Sequence, residues 1–167
     1  FLRAHDAATG YLKVPSWLKP EERITYEWAK TQDGNITSML ACGARNFDWR
    51  PKVDGNGRLV MHHGDVEIPH PMEDVLTEIT TWASRNRNGS QDFVLMDIWD
   101  CWGHNCQDMV TVALRSAGIP LVTDCQELYR LTVNDALAKS ALAGGGHVLA
   151  HFCNNDPPGW STYDDSL

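Results

Sequence analysis

The sequence predicts an α/β fold: a partial TIM-type (β/α) barrel of about five parallel strands with outer helices, the C-terminal half of the barrel lying outside this chain. Three observations predict it. Apolar runs of strand length alternate with helical patterns, the arrangement that places parallel strands inside a layer of helices. Phe93 to Trp99 is an almost unbroken apolar run, as a strand covered on both faces requires. The chain has 167 residues, whereas a complete barrel of this type takes roughly 250.

The elements follow in order. Phe1 to Ala4 reads as the end of a strand leading into His5. Pro20-Glu-Glu opens a helix to about Lys30, with proline in its first turn and acids favourable to the helix dipole. Thr37 to Cys42 is a helical turn stopped by Gly43. Ala44 to Arg50 is a strand, residues 51–57 a Gly/Asp/Asn turn, and Arg58 to His63 the next strand. Pro71 to Arg87 is helical, because Met72, Val75, Leu76, Ile79 and Trp82 fall on one face. After the strand to Trp99 come a helix from Asn105 to Ala117, a short helix from Asn134 to Ala143, and a last strand from His147 to Cys153. Residues 1–153 form one barrel unit, and 154–167 an irregular polar tail or a lead into further chain.

Composition narrows the partners. Net charge is -8 and no basic stripe is visible, which argues against nucleic acid and against tight electrostatic docking on anionic lipid. Membrane contact must then be apolar or transient. Seven tryptophans are many for this length; base rates favour packing roles, with Trp17, between Pro15 and Pro20, the candidate for a lipid-facing rim. The five cysteines fit no zinc template. Cys101 and Cys106 are close enough to pair, and an odd count leaves one thiol unpaired. With the sequons at Asn35 and Asn88, this points to a secreted, lumenal or membrane-peripheral setting over a cytoplasmic one.

Chemistry gathers at three strand ends: His5-Asp6, Asp48-Trp49-Arg50 and His62-His63. Alternation puts Asp48 and Arg50 on one face, and sends His62 and His63 to opposite faces, so one of the two enters the site. Two histidines and an arginine suit phosphodiester chemistry. One imidazole takes a proton from an attacking hydroxyl, the other gives one to the leaving alkoxide, and the guanidinium meets the phosphate oxygens as charge grows on them. Alone, each histidine reads as a packing or turn residue, and Arg50 as an ion-pair partner of Asp48. Asp97 and Asp100 read equally as site residues or loop caps. His62, His70, His104, His147 and His151 read as structural or surface groups.

These residues carry a resemblance. His5-Asp-Ala-Ala-Thr-Gly, Trp28-Ala-Lys-Thr-Gln, Gly43-Ala-Arg-Asn-Phe-Asp-Trp-Arg, Leu59-Val-Met-His-His-Gly and Leu131-Thr-Val-Asn-Asp-Ala occur in the order of the X-type region of phosphatidylinositol-specific phospholipases C. The likeness is to the bacterial, calcium-independent form, in which the gap from Arg50 to His63 is similar. The resemblance implies cleavage of phosphatidylinositol, or a glycosylated form of it, to diacylglycerol and a cyclic inositol phosphate. His5 is then the general base, Arg50 the phosphate ligand, His63 the general acid oriented by Asp6, and Asp48 the support of Arg50. Arg50 stands where calcium-using relatives place acidic ligands, so no metal and no cofactor are expected. Ala7 and Ala8 replace the usual serine and glycine. Trp99 replaces a lysine near the substrate, which makes it a candidate head-group contact. The aspartate that orients the base histidine comes from a late strand and has no counterpart here, so a further segment or chain is expected to complete the barrel. The alternative reading is a catalytically silent barrel of this type, serving as an interaction or structural subunit of a larger assembly. A pocket plugged by Trp99 or Trp49 would favour that alternative.

Overall fold

The computed structural model describes residues 4–85 and 92–153, and side chains from Asp6 onward. The chain runs β1 (Ala4–Asp6), α1 (Pro20–Ala29), α2 (Ile36–Ala41), β2 (Asn46–Trp49), β3 (Pro51–Val53), β4 (Leu59–His63), β5 (Val66–Ile68), α3 (Met72–Arg85), β6 (Phe93–Ile98), α4 (Cys106–Ser116), β7 (Leu121–Val122), α5 (Cys125–Arg130), α6 (Val133–Lys139) and β8 (His147–His151). The first residues of the predicted β1, the last turn predicted for α3, the Asn88 sequon and the 154–167 tail lie outside the described residues.

Local chemistry sets the helix starts. Glu22 accepts from the Lys19 amide at 3.2 Å ahead of Pro20. Asn35 caps α2 by accepting from the Ser38 amide at 2.9 Å. Asp124 does the same for α5 through the Gln126 amide at 2.9 Å, and Thr132 and Asp135 form a reciprocal capping box on α6.

Five strands form a parallel sheet in the order β1-β2-β6-β8-β7. Its two faces bury separate cores. Phe47, Trp49, Val94, Met96, Ile98, Val148 and Ala150 pack with Ile36, Leu40, Val75, Leu76, Ile79, Val110 and Leu114 of α2, α3 and α4. Leu95 and Leu149 point the other way, into a smaller cluster with Val122, Leu128, Leu131 and Ala136. This accounts for the continuous apolar run of β6: both of its faces are covered. Each fully buried aliphatic side chain contributes about 1.5–3 kcal/mol.

Membership of the parallel sheet differs from the sequence expectation in two respects: it lacks the strand that ends in His63, and it gains β7. The strand that ends in His63 is not in the parallel sheet. β3, β4 and β5 make a separate antiparallel sheet, with Met61 opposite both Pro51 and Ile68. The turn from residue 54 to 58 is tight enough to reverse the chain at once. Asp54 accepts from the amides of Asn56 and Arg58 at 2.9 and 2.8 Å, and Gly57 adopts a φ of +76°. A strand that returns directly can pair antiparallel, without the long crossover a parallel neighbour needs. The short β7 and α5, which carry no periodic signal of their own, complete the fold at the far edge.

Two disulfides tie segments at the C-terminal ends of the parallel strands: Cys101–Cys106 after β6, and Cys125–Cys153 joining the chain after β7 to the chain after β8. Cys42 is the unpaired thiol and is exposed. Among the described residues no helix is long and apolar enough to cross a membrane.

Candidate active site

Strand register places titratable groups side by side. Asp6 pairs with Asp48, Asp48 with Asp97, and Asp97 with His151, across β1, β2, β6 and β8. Paired residues of adjacent strands project to the same face. All four therefore form a row at the C-terminal ends of the strands, on the face opposite Phe47 and Trp49.

At the β1 end, Asp6 divides its carboxylate between two tasks. Oδ1 accepts from the Ala8 and Thr9 amides at 2.9 and 3.0 Å, and Oδ2 meets His63 Nδ1 at 2.6 Å. The first task fixes the carboxylate, so the second fixes the ring. With its proton on Nδ1 facing Asp6, His63 presents Nε2 for proton exchange. Ala7 and Ala8 are buried in this turn, and Ala8 supplies a backbone donor that needs no side chain. His63 reaches Asp6 from the β4 hairpin rather than from a parallel strand. His62 points away, as alternation predicts. It is buried, stacks on Trp102 with ring centroids 4.1 Å apart, and places its two nitrogens on the carbonyls of Gly64 and Asp100 at 2.9 and 2.7 Å. It pins the loop after β6 to the hairpin.

In the next strand Asp48 holds Arg50. The guanidinium donates through Nη2 to Oδ2 at 2.7 Å and through Nε at 3.1 Å. The Trp99 indole nitrogen donates to Asp48 Oδ1, and the Trp99 ring lies against the guanidinium at 4.3 Å. Burial raises the Asp48 carboxyl above its ordinary pKa, and Arg50 pulls it back. Trp49, the other residue considered as a plug, is fully buried on the opposite face and does not enter the row.

At the far end of the row, the sequence leaves Asp97 evenly between a site residue and a loop cap and reads His151 as a structural or surface group. Asp97 is pushed up to about 6 by burial first and by the Asp48 charge second. His151 is pushed down to about 4 by burial, and its side chain is 1% exposed, 3.7 Å from Asp97. The available signal was polarity out of place: an acid inside the run Phe93 to Trp99, and a histidine ending the run Val148 to Ala150. The His5 backbone pairs with Phe47 in β1, and its side chain lies outside the described residues. Among the described residues no group of three or more His, Cys, Asp or Glu side chains could hold a metal ion.

No family model matches the chain. Relatives do. A PI-PLC X domain-containing protein of Dictyostelium discoideum is 33% identical over 94 residues, covering 51% of this chain and 16% of that protein. The 1-phosphatidylinositol phosphodiesterase of Staphylococcus aureus strain Newman is 28% identical over 85 residues, covering 51% of this chain and 25% of that protein. Among solved structures, a double mutant of the phosphatidylinositol-specific phospholipase C from Staphylococcus aureus superposes with a TM-score of 0.60 at 15% identity. It covers 89% of this chain and 45% of that enzyme. A second structure, from work on membrane binding by the same enzyme, gives a TM-score of 0.55 at 20% identity, over 90% of this chain and 47% of that one. The chain thus spans less than half the length of the solved enzymes it matches, and its parallel sheet is part of their TIM-type barrel. Sequence likeness to these relatives over half of the chain, and a shared fold with the solved enzymes over most of it, support a phosphatidylinositol-specific phospholipase C-like, X-type region.

Proposed function

We propose that the protein carrying this chain cleaves the phosphodiester of a phosphatidylinositol-type lipid, with His5 as general base, Arg50 on the phosphate and His63 as general acid. The observation that carries the reading is the Asp6–His63 contact at 2.6 Å beside the Asp48–Arg50 pair at 2.7 Å. Asp6 and Asp48, side by side on β1 and β2, thus hold one oriented imidazole and one oriented guanidinium together. The inositol 2-hydroxyl gives its proton to His5 and attacks phosphorus. His63 Nε2 protonates the departing diacylglycerol oxygen, and a cyclic inositol phosphate remains. Arg50 meets the charge that grows on the phosphate oxygens, and Asp48 holds it there, which is electrostatic work that needs no metal. The substrate sits in a membrane, and this chain offers apolar contact. Trp17, just before α1, and Trp28, on it, are 79% and 82% exposed, contrary to a packing role for them. Such side chains suit brief interfacial contact by an acidic protein.

Cleavage of phosphatidylinositol in vesicles, followed by phosphorus NMR in the presence of EDTA, tests the reading. The wild type is expected to form cyclic inositol phosphate, and His63→Ala to lose at least about 100-fold in kcat with an unchanged Tm. Inhibition by the chelator, or an undiminished rate in the variant, would overturn the assignment.

One observation favours a second reading, the silent barrel. The Trp99 ring covers the Arg50 guanidinium while Asp48 occupies its edge. If inorganic phosphate fails to bind the wild type yet binds Trp99→Ala, the arginine is capped and the chain serves as a scaffold.

A further inference from the structure

The sequon Asn35-Ile36-Thr37 takes no part in the chemistry above, and the fold divides the Asn35 side chain in a way that bears on its use. Asn35 stands just outside the helix it starts, with extended backbone (φ -70°, ψ 174°) in the stretch that joins α1 to α2. Its Oδ1 is the helix cap, accepting from the Ser38 amide at 2.9 Å and from the Ser38 hydroxyl at 2.8 Å. An atom that accepts from a backbone amide must be the oxygen, so the other atom is the nitrogen. That Nδ2 donates to no group among the described residues and is open to solvent. Thr37, the hydroxyl member of the sequon, is exposed, while Ile36 between the two is fully buried and anchors the segment. Thr37 also borders a surface groove between α2 and α3, walled by Glu78 and Trp82, which leaves room on that side for a bulky group. The disulfides are an independent observation. Cys101–Cys106 and Cys125–Cys153 form and persist in an oxidising compartment, the setting in which such sequons are glycosylated.

We infer that Asn35 is an N-glycosylation site, its substrate an oligosaccharide carried on a lipid pyrophosphate. In the transfer Nδ2 forms a bond to C1 of the first sugar, and the bond from C1 to the pyrophosphate oxygen breaks. Nδ2 gives up one proton, the lipid pyrophosphate leaves, and nothing is oxidised or reduced. The product keeps the side-chain carbonyl, so the cap on Ser38 survives the modification. Attachment through a buried nitrogen, or through one that donates into the core, would cost the chain part of its folded structure. At Asn35 the atom that is modified and the atom that holds the helix are different atoms.

The test is expression of the full chain through the secretory route of insect cells. Peptides of the secreted and of the cell-retained protein are then mapped by mass spectrometry, with and without peptide N-glycosidase. The Asn35 peptide is expected to carry a glycan, and the enzyme to release it and leave aspartate at that position. The glycan is expected to be absent from Asn35→Asp, which keeps an oxygen cap on α2, and from Thr37→Ala, and to persist in Thr37→Ser. An unmodified Asn35 in both the secreted and the retained wild type overturns the inference, as does a glycan confined to Asn88. Equal occupancy of Asn35 in Thr37→Ala overturns it as well. Sugar transfer precedes folding, so the retained protein decides even where a variant does not fold.

Discussion

The two ends of the acidic row differ in how their charges are treated. At the β1–β2 end, Asp6 and Asp48 each have a cationic or imidazole partner within hydrogen-bond distance, and Asp6 is further fixed by two backbone amides. At the β6–β8 end, Asp97 faces another acid, and His151 keeps a buried nitrogen without a partner. The first end is organised to aim its groups, and there the Arg50 guanidinium opposes the rise that burial imposes on Asp48. The second is organised to keep groups neutral: burial raises the acid and lowers the base, so both lose charge toward the middle of the pH range.

Breaking the charged end is expected to have the largest effect. Arg50→Gln strands the buried Asp48 carboxylate, whose side chain is 8% exposed. The expected cost is about 3 kcal/mol at pH 7 by urea unfolding, shrinking at acid pH as Asp48 becomes protonated. An equal cost at pH 7 and pH 4 would show that the pair contributes packing rather than charge. Asp6→Asn is expected to act on rate instead. The amide can still cap Ala8 and Thr9 through its oxygen, but it turns a donor toward His63 Nδ1. The ring is driven to the wrong tautomer, and kcat is expected to fall on the order of 100-fold at nearly constant KM. A variant that retained full kcat would remove Asp6 from the catalytic argument and leave it as a turn cap.

Much of the charged end was legible from residues alone. Alternation in a strand fixes which of His62 and His63 faces the site, and puts Asp48 and Arg50 on one face, because a period of two leaves no choice. The same rule could not show that β4 runs antiparallel. His63 sits near the end of its strand either way, and pairing direction is decided by the Asp54 turn and not by the apolar pattern. The pairing of Asp97 with His151 was illegible for another reason. Each residue is one polar interruption of an apolar run, 54 positions apart in number, and only the register of β6 against β8 sets them side by side. The Cys125–Cys153 bridge was hidden in the same way, closing 28 residues that no local spacing rule connects.

The smallest effect expected is on pH dependence, and it separates the two groups at the neutral end. Asp97 has a pKa raised to about 6, so its stabilising contribution is complete below the ordinary carboxyl value and is lost as pH rises through 6. His151 has a pKa lowered to about 4, so its contribution is complete above the ordinary imidazole value and is lost as pH falls through 4. Between pH 4 and 6.5 the two slopes oppose each other, and the wild type is expected to show a shallow profile of Tm against pH. Asp97→Asn removes one slope. It is expected to raise stability at pH 7.5 by on the order of 1–2 kcal/mol, with no gain at pH 4. Its Tm is then expected to fall steadily as the buried imidazole is forced to take a proton. Parallel Tm profiles for the two proteins, measured by circular dichroism, would mean that Asp97 titrates as an ordinary surface acid. The neutral end of the row would then lose its distinction from the charged one.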